Sequence, residues 1–158
     1  MRVYVDGSAL TRYLDDVRGS AQFRAWAQPL EADLLVSVVS RAEVRVATLH
    51  TTSAQRVRAR DDLDRIEVLR LSDQALGWAT NVTGVLSPFA AVHLGMAMTH
   101  RDVRAVATYH GRLARLAALH GLQVVSPGLP DGWWEQHSAP TRPRVPVPVG
   151  GAEPTRPG

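Results

Sequence analysis

The chain has no cysteine, so neither a disulfide framework nor a thiolate metal site is open to it. It has no lysine either, and all 18 of its basic residues are arginine. That removes a Gly-x-x-x-x-Gly-Lys-Ser/Thr phosphate loop. It also removes receiver-type and phosphoaspartate sites, which need a lysine beside the phosphoryl group. The run Asp6-Gly7-Ser8 lacks as well the second acid that such a site carries two residues on. Long apolar runs are missing: the longest, around Leu34 to Val39, is far too short to span a bilayer. The chain opens on a strand-like run, Arg2-Val3-Tyr4-Val5, with an acid behind it and no charged, apolar and small-residue leader, which predicts a cytoplasmic protein. The formal charge is only +3, which permits a nucleic-acid partner without implying one.

What remains is ordinary globular material. With 158 residues, of which 45% are hydrophobic, one domain can bury a real core. Strand-like segments at Val3 to Val5, Leu34 to Ser37, Ile66 to Leu71, Ala105 to Tyr109 and Gln123 to Val125 alternate with segments of helical period. This is the pattern of an α/β fold with a mainly parallel sheet flanked by helices. Helix starts are expected at Ser8, Ser20, Ser40, Ser72 and Ser87-Pro88. Gly121 should close a helix that carries Leu113, Leu116 and Ala117 on one face. The composition changes after Ser126-Pro127-Gly128, so the domain is placed at 1–128. The remainder, 129–158, holds Trp133-Trp134, which either packs back on the domain or serves as a docking anchor, and a Pro-rich tail expected to be flexible. Its Pro-x-x-P spacings at Pro140, Pro143 and Pro146 follow from composition alone.

Two carboxylates stand where chemistry is expected. Asp6 follows the first strand immediately, at the sheet edge where parallel α/β proteins bind ligands; it reads equally well as a turn or cap residue. Glu43 follows Ser40 at capping-box spacing; alternatively its helix points it at the same sheet edge as Asp6, giving two oxygen ligands for a hard divalent cation. Arg56, Arg58, Arg60 and Arg65, and later Arg101, Arg104, Arg112 and Arg115, are interleaved with Asp61, Asp62, Asp64 and Asp102, which favours a solvated mixed-charge face over a phosphate-binding one.

Four segments in order resemble the PIN-domain family and, within it, the VapC-type toxin ribonucleases of bacterial toxin and antitoxin pairs. They are Val3-Tyr4-Val5-Asp6-Gly7-Ser8, Ser37-Val38-Val39-Ser40-Arg41-Ala42-Glu43-Val44, Leu86-Ser87-Pro88-Phe89-Ala90-Ala91-Val92-His93-Leu94 and Val106-Ala107-Thr108-Tyr109-His110-Gly111-Arg112-Leu113. The resemblance, from Met1 to about Gly128, implies a three-layer α/β/α domain, single-stranded RNA as substrate, a VapB-like antitoxin and a homodimer. It also implies four acids holding Mg²⁺ or Mn²⁺. Here two are missing: Ala90 offers no ligand atom, and His110 replaces a hard oxygen donor by an imidazole that suits manganese or zinc better than magnesium. Asp6 and Glu43 still suffice for one ion whose shell waters and substrate phosphate complete, with Mn²⁺ preferred over Mg²⁺. Ser8 and Thr108 are candidates to orient a ligand or a water, and equally to bond local backbone. His93, three residues beyond Ala90, can face the same cleft, but between Val92 and Leu94 it is read as a satisfied packing residue. The expectation is a metal-dependent endoribonuclease with an impaired site, the alternative a catalytically inactive module that binds RNA or protein.

Overall fold

Five short apolar runs form strands: β1 Arg2–Val5, β2 Leu34–Ser37, β3 Glu67–Leu69, β4 Val103–Ala107 and β5 Gln123–Val125. The structure is a computed structural model and describes residues 1–14 and 17–136. The strand order is β3-β2-β1-β4-β5, and every pairing is parallel. Helices follow as α1 Gly7–Leu10, α2 Ser20–Ala27, α3 Val38–Ala47, α4 Ser53–Asp64, α5 Asp73–Val82, α6 Pro88–Thr99, α7 Gly111–Leu119 and α8 Trp133–Gln136.

Period-two alternation along the central strands feeds two separate cores. Val3, Val5, Leu34, Val36, Ala105 and Ala107 face Leu10, Phe23, Val44 and Leu63 of α1 to α4. Tyr4, Leu35 and Val106 face Ala79, Leu94 and Leu113 of α5 to α7. The result is the expected three-layer α/β/α arrangement. Each fully buried side chain such as Leu35 or Phe23 contributes roughly 1.5–3 kcal/mol by leaving water. Where α5 crosses α6 the two backbones come unusually close: a Cβ on Gly95 would lie 2.2 Å from the Ala75 carbonyl oxygen.

The chain builds outward from β1 through β2 to β3, then returns to add β4 and β5 on the other side of β1. The carboxyl ends of β1 and β4 therefore mark the point where the winding reverses, the usual ligand crevice of such sheets. Asp6 follows β1 there, and Thr108 follows β4.

The fourth strand runs two residues earlier than the sequence suggested. Thr108 still donates its N–H to Val125 O at 3.1 Å. Its hydroxyl, however, accepts the N–H of His110 at 3.0 Å and turns the chain off the sheet. The third strand is shorter at both ends than Ile66 to Leu71. Several helix starts also shift. Asp6, not Ser8, caps α1. Gly19, at φ +83°, precedes α2, so Ser20 is its first residue. Ser37 caps α3, with Ser40 returning the bond in a reciprocal box. Ser72 caps α5 and Pro88 opens α6, as the sequence indicated, although Ser87 makes no side-chain cap bond. Gly121, at φ +82°, follows α7 as expected, with Leu113 and Ala117 buried beneath it.

Trp133 is buried and α8 lies against α7, so this tryptophan packs on the domain. The proline spacings from Pro140 to Pro146 lie outside the described residues. Among the described residues no helix is long and apolar enough to cross a membrane.

Candidate functional site

Asp6 begins where β1 ends, its N–H still tied to Ala107 O of β4 at 3.1 Å. The side chain is only 2% exposed. Its Oδ1 accepts from the Ser8 hydroxyl at 2.7 Å and from the Ala9 N–H at 2.8 Å, and its Oδ2 accepts from the Thr108 hydroxyl at 2.5 Å. Asp6 thus fills the cap role and the sheet-edge position together. Burial pushes its carboxyl above the usual range, because desolvation outweighs the nearby His93 ring and the three donors. A carboxylate so placed is stabilised by a cation at its remaining lone pairs.

Ser8 and Thr108 both act on Asp6. The Ser8 hydroxyl also accepts the Tyr109 N–H at 2.9 Å, locking α1 to the loop after β4. Beside that loop, the Arg12 guanidinium stacks 4.1 Å from the centre of the Tyr109 ring, and the Tyr109 hydroxyl donates to Pro127 O at 2.7 Å.

Glu43 does not return to a helix cap. The Ser37–Ser40 box already satisfies the start of α3, so Glu43, in the second turn, is free to leave the helix. Its carboxylate lies over Gly7, where an added Cβ would come within 1.6 Å of Oε2 and 2.7 Å of the Glu43 Cβ. Gly7 is therefore glycine for lack of room. Since Gly7 adjoins Asp6, the Glu43 carboxylate stands beside the residue next to Asp6, at the same edge of the sheet.

The sequence reading of His93 as packing missed a network. Its Nε2 is 2.8 Å from Glu43 Oε2 and its Nδ1 is 2.8 Å from the Tyr4 hydroxyl, which in turn lies 2.9 Å from Ser37 Oγ. Burial also raises the Tyr4 hydroxyl well above its ordinary value. The available signal was spacing, for His93 stands three residues beyond Ala90 on the same face of α6.

The other expected positions behave differently. Ala90 is buried in the apolar core on the α5 to α7 side. His110 caps α7, its Nδ1 accepting the Leu113 N–H at 3.2 Å. An Nδ1 that accepts leaves the ring proton on Nε2, so neither nitrogen presents a free lone pair in this arrangement. Among the described residues no group of three or more histidine, aspartate or glutamate side chains gathers as a metal site. Some arginines of α3, α4 and the end of α4 are paired with acids: Arg41 and Arg60 with Asp64, and Arg65 with Glu31 and Asp62, while Arg56 bonds Thr51 O and Ser53 Oγ. That is the mixed-charge face the sequence suggested.

The wholly parallel sheet between two helical layers, with Asp6 at the carboxyl end of β1 and Glu43 on the helix after β2, has the arrangement of the PIN class of α/β/α domains. No protein-family model matches the chain. Solved structures with this fold include FitAcB from Neisseria gonorrhoeae, at TM-score 0.62 and 15% identity, covering 79% of this chain and 97% of that one. A toxin-antitoxin complex from Klebsiella pneumoniae aligns at TM-score 0.58 and 21% identity, over 80% and 98%. VapBC2 from Rickettsia felis, solved bound to a DNA fragment from its promoter, aligns at TM-score 0.55 and 11% identity, over 79% and 98%. In sequence, the chain is 32% identical over 132 residues to Ribonuclease VapC47 of Mycobacterium tuberculosis, covering 80% of this chain and 97% of the relative. The chain belongs to the VapC family of PIN-domain nucleases.

Proposed function

We propose that the protein is a metal-dependent endoribonuclease of a toxin and antitoxin pair, working with half of the usual acid set. Asp6 and Glu43 are its ligands for a single divalent cation. The observation that carries this is Asp6: a buried carboxylate, raised by desolvation, flanked by a second carboxylate that glycine makes room for. Its donors leave lone-pair capacity on Oδ2, and Oε1 of Glu43 has no hydrogen bond among the described residues. The donor set is hard oxygen, which fits Mg²⁺ or Mn²⁺ in a shell completed by water and phosphate. A divalent ion held there supplies charge stabilisation to the scissile RNA phosphate and acidifies an attacking water.

The rest falls to the chain. Ser8 and Thr108 fix the Asp6 rotamer, so little of its freedom has to be surrendered on ligand binding. His110, committed to the cap of α7, is left out of the ligand set. With two carboxylates where the family resemblance implies four acids, affinity should be weak and Mn²⁺ favoured over the more demanding Mg²⁺.

The antitoxin is assigned to a different face. Between α3 and α4 lies a cavity of about 840 Å³ whose lining includes the exposed Val46 and Leu49 together with Arg45, Arg56 and the Arg41–Asp64–Arg60 ion-pair cluster, an excess of positive charge. That chemistry suits an acidic amphipathic segment of a VapB-like partner.

The test is calorimetric titration with Mn²⁺ and Mg²⁺ of wild type and Asp6→Ala, then cleavage of single-stranded RNA with and without EDTA. Binding and cleavage that vanish in the variant support the reading. A second reading, a non-catalytic RNA- or protein-binding module, is favoured by the missing third ligand. RNA bound tightly in EDTA without cleavage in either metal would select it.

A further inference from the structure

We propose that His93 is a positioning residue that holds the Glu43 carboxylate in place from α6, the helix on which the third acid is absent. The inference rests on Asp6 and Glu43 being the cation ligands. His93 is 3% exposed in its side chain and Glu43 is 37% exposed, so the histidine cannot reach substrate while the glutamate can. An ionised carboxylate only accepts hydrogen bonds, so the 2.8 Å contact is donated by the Nε2–H of His93 to Oε2. The opposite nitrogen is fixed by the Tyr4 hydroxyl at 2.8 Å, and Tyr4 has no exposed surface.

The Tyr4 hydroxyl also meets Ser37 Oγ, whose side chain caps α3, the helix that carries Glu43. The path from Ser37 through Tyr4 and His93 to Glu43 therefore begins and ends on one helix and passes through β1 and α6. It fixes both the origin of α3 and the tip of its glutamate. Only one carboxylate oxygen is engaged, which leaves the other for the cation. Gly7 confines the same oxygen, because the space of its missing Cβ is where Oε2 lies. A glutamate left to itself would lose its rotamer freedom at the moment of cation binding; held this way, it has lost it already.

On α6, Ala90 and His93 lie three residues apart on one face. The helix thus contributes to the site through a hydrogen bond to Glu43. A histidine that merely packed, or merely satisfied Tyr4, would make no difference to Glu43.

Two near-isosteric variants separate these roles. The amide of His93→Asn falls near the Nδ1 position and meets Tyr4, whereas that of His93→Gln falls near Nε2 and donates to Glu43. With Mn²⁺ as the calorimetric probe, His93→Asn is expected to bind about 10- to 100-fold more weakly than wild type, and His93→Gln to recover most of the loss at a similar melting temperature. Equal Mn²⁺ affinity in wild type and His93→Asn would overturn the proposal.

A metal-free arm separates its failure from that of the cation site. Long-range ¹H–¹⁵N correlation spectra of the wild-type histidines should show a slowly exchanging Nε2–H for His93 that Glu43→Ala abolishes and Tyr4→Phe retains. If that resonance is absent, or survives Glu43→Ala, the tether is refuted whatever the metal does. If it behaves as expected while wild type binds no Mn²⁺, the tether stands and the cation reading falls.

Discussion

The family resemblance implies four acids, of which Asp6 and Glu43 are the half that is kept; Ala90 and His110 stand in the half that is not. In the first half each residue has a second duty. Asp6 caps α1 and ties the loop after β4 to β1 through Thr108, and Glu43 fills the space over Gly7 and bonds His93. In the second half one position still has a duty and keeps a residue able to perform it, for His110 caps α7 with a ring nitrogen in place of a carboxylate oxygen. The other position has none: Ala90 sits in the first turn of α6, facing the apolar core, and makes no cap. A ligand with no structural employment can be lost without harm to the fold, whereas one built into a cap or an interhelical contact cannot.

The sharpest test of that contrast is Asp6→Asn, which keeps the cap acceptor and removes the charge. Mn²⁺ binding should be abolished in calorimetry while unfolding stability stays within about 1 kcal/mol of wild type, because the cap survives and a desolvated charge is relieved. Gly7→Ala comes next, and here function and fold should fail together. The new methyl collides with Oε2 and Cβ of Glu43. Cation affinity should drop to that of Glu43→Ala, and denaturant melts should show a loss of about 1–3 kcal/mol. A Gly7→Ala protein that bound Mn²⁺ like wild type would mean that Glu43 is not a ligand.

Repairing the empty half is the converse experiment. The double variant Ala90→Asp with His110→Asp should raise Mg²⁺ affinity and RNA cleavage, because added carboxylates tune such sites by ligand charge. Ala90→Asp alone should cost about 1–3 kcal/mol, since it places an acid in an apolar position. No gain in a folded double variant would remove Ala90 and His110 from the metal site. The smallest effect belongs to the cap. His110→Ala should destabilise by about 1 kcal/mol, and His110→Asp should restore that stability without Ala90→Asp being present.

Much of this was legible because the signals are local. Continuous apolar runs at Val3-Tyr4-Val5 and Leu34-Leu35-Val36 mark the central strands, and the order of strands and helices yields the parallel sheet; which side chain feeds which core is set by the fold. Asp6 and Glu43 were singled out by their positions after β1 and on the helix after β2, each with a cap role as the rival reading, and the family resemblance raised them above it. What escaped was competition among neighbours with the same chemistry. Ser8 and Asp6 are both good caps, and burial beneath Thr108 decides for Asp6. Ser37 and Ser40 form the capping box themselves, which left the spacing between Ser40 and Glu43 a coincidence. His93 escaped for another reason. Its partners are 89 and 50 residues away in the chain, so no window around Val92 and Leu94 contains the evidence.

The close crossing at Gly95 has a consequence for anyone engineering the site. Backbone there rests against the backbone of Ala75, with no side chain between to absorb an adjustment. His93, two residues upstream, therefore takes its height over the crevice from α5, a helix that contributes no residue to the site. Substitutions on the buried face of α5, at Ala75 above all, would read out as altered chemistry, although no residue of that helix touches the site.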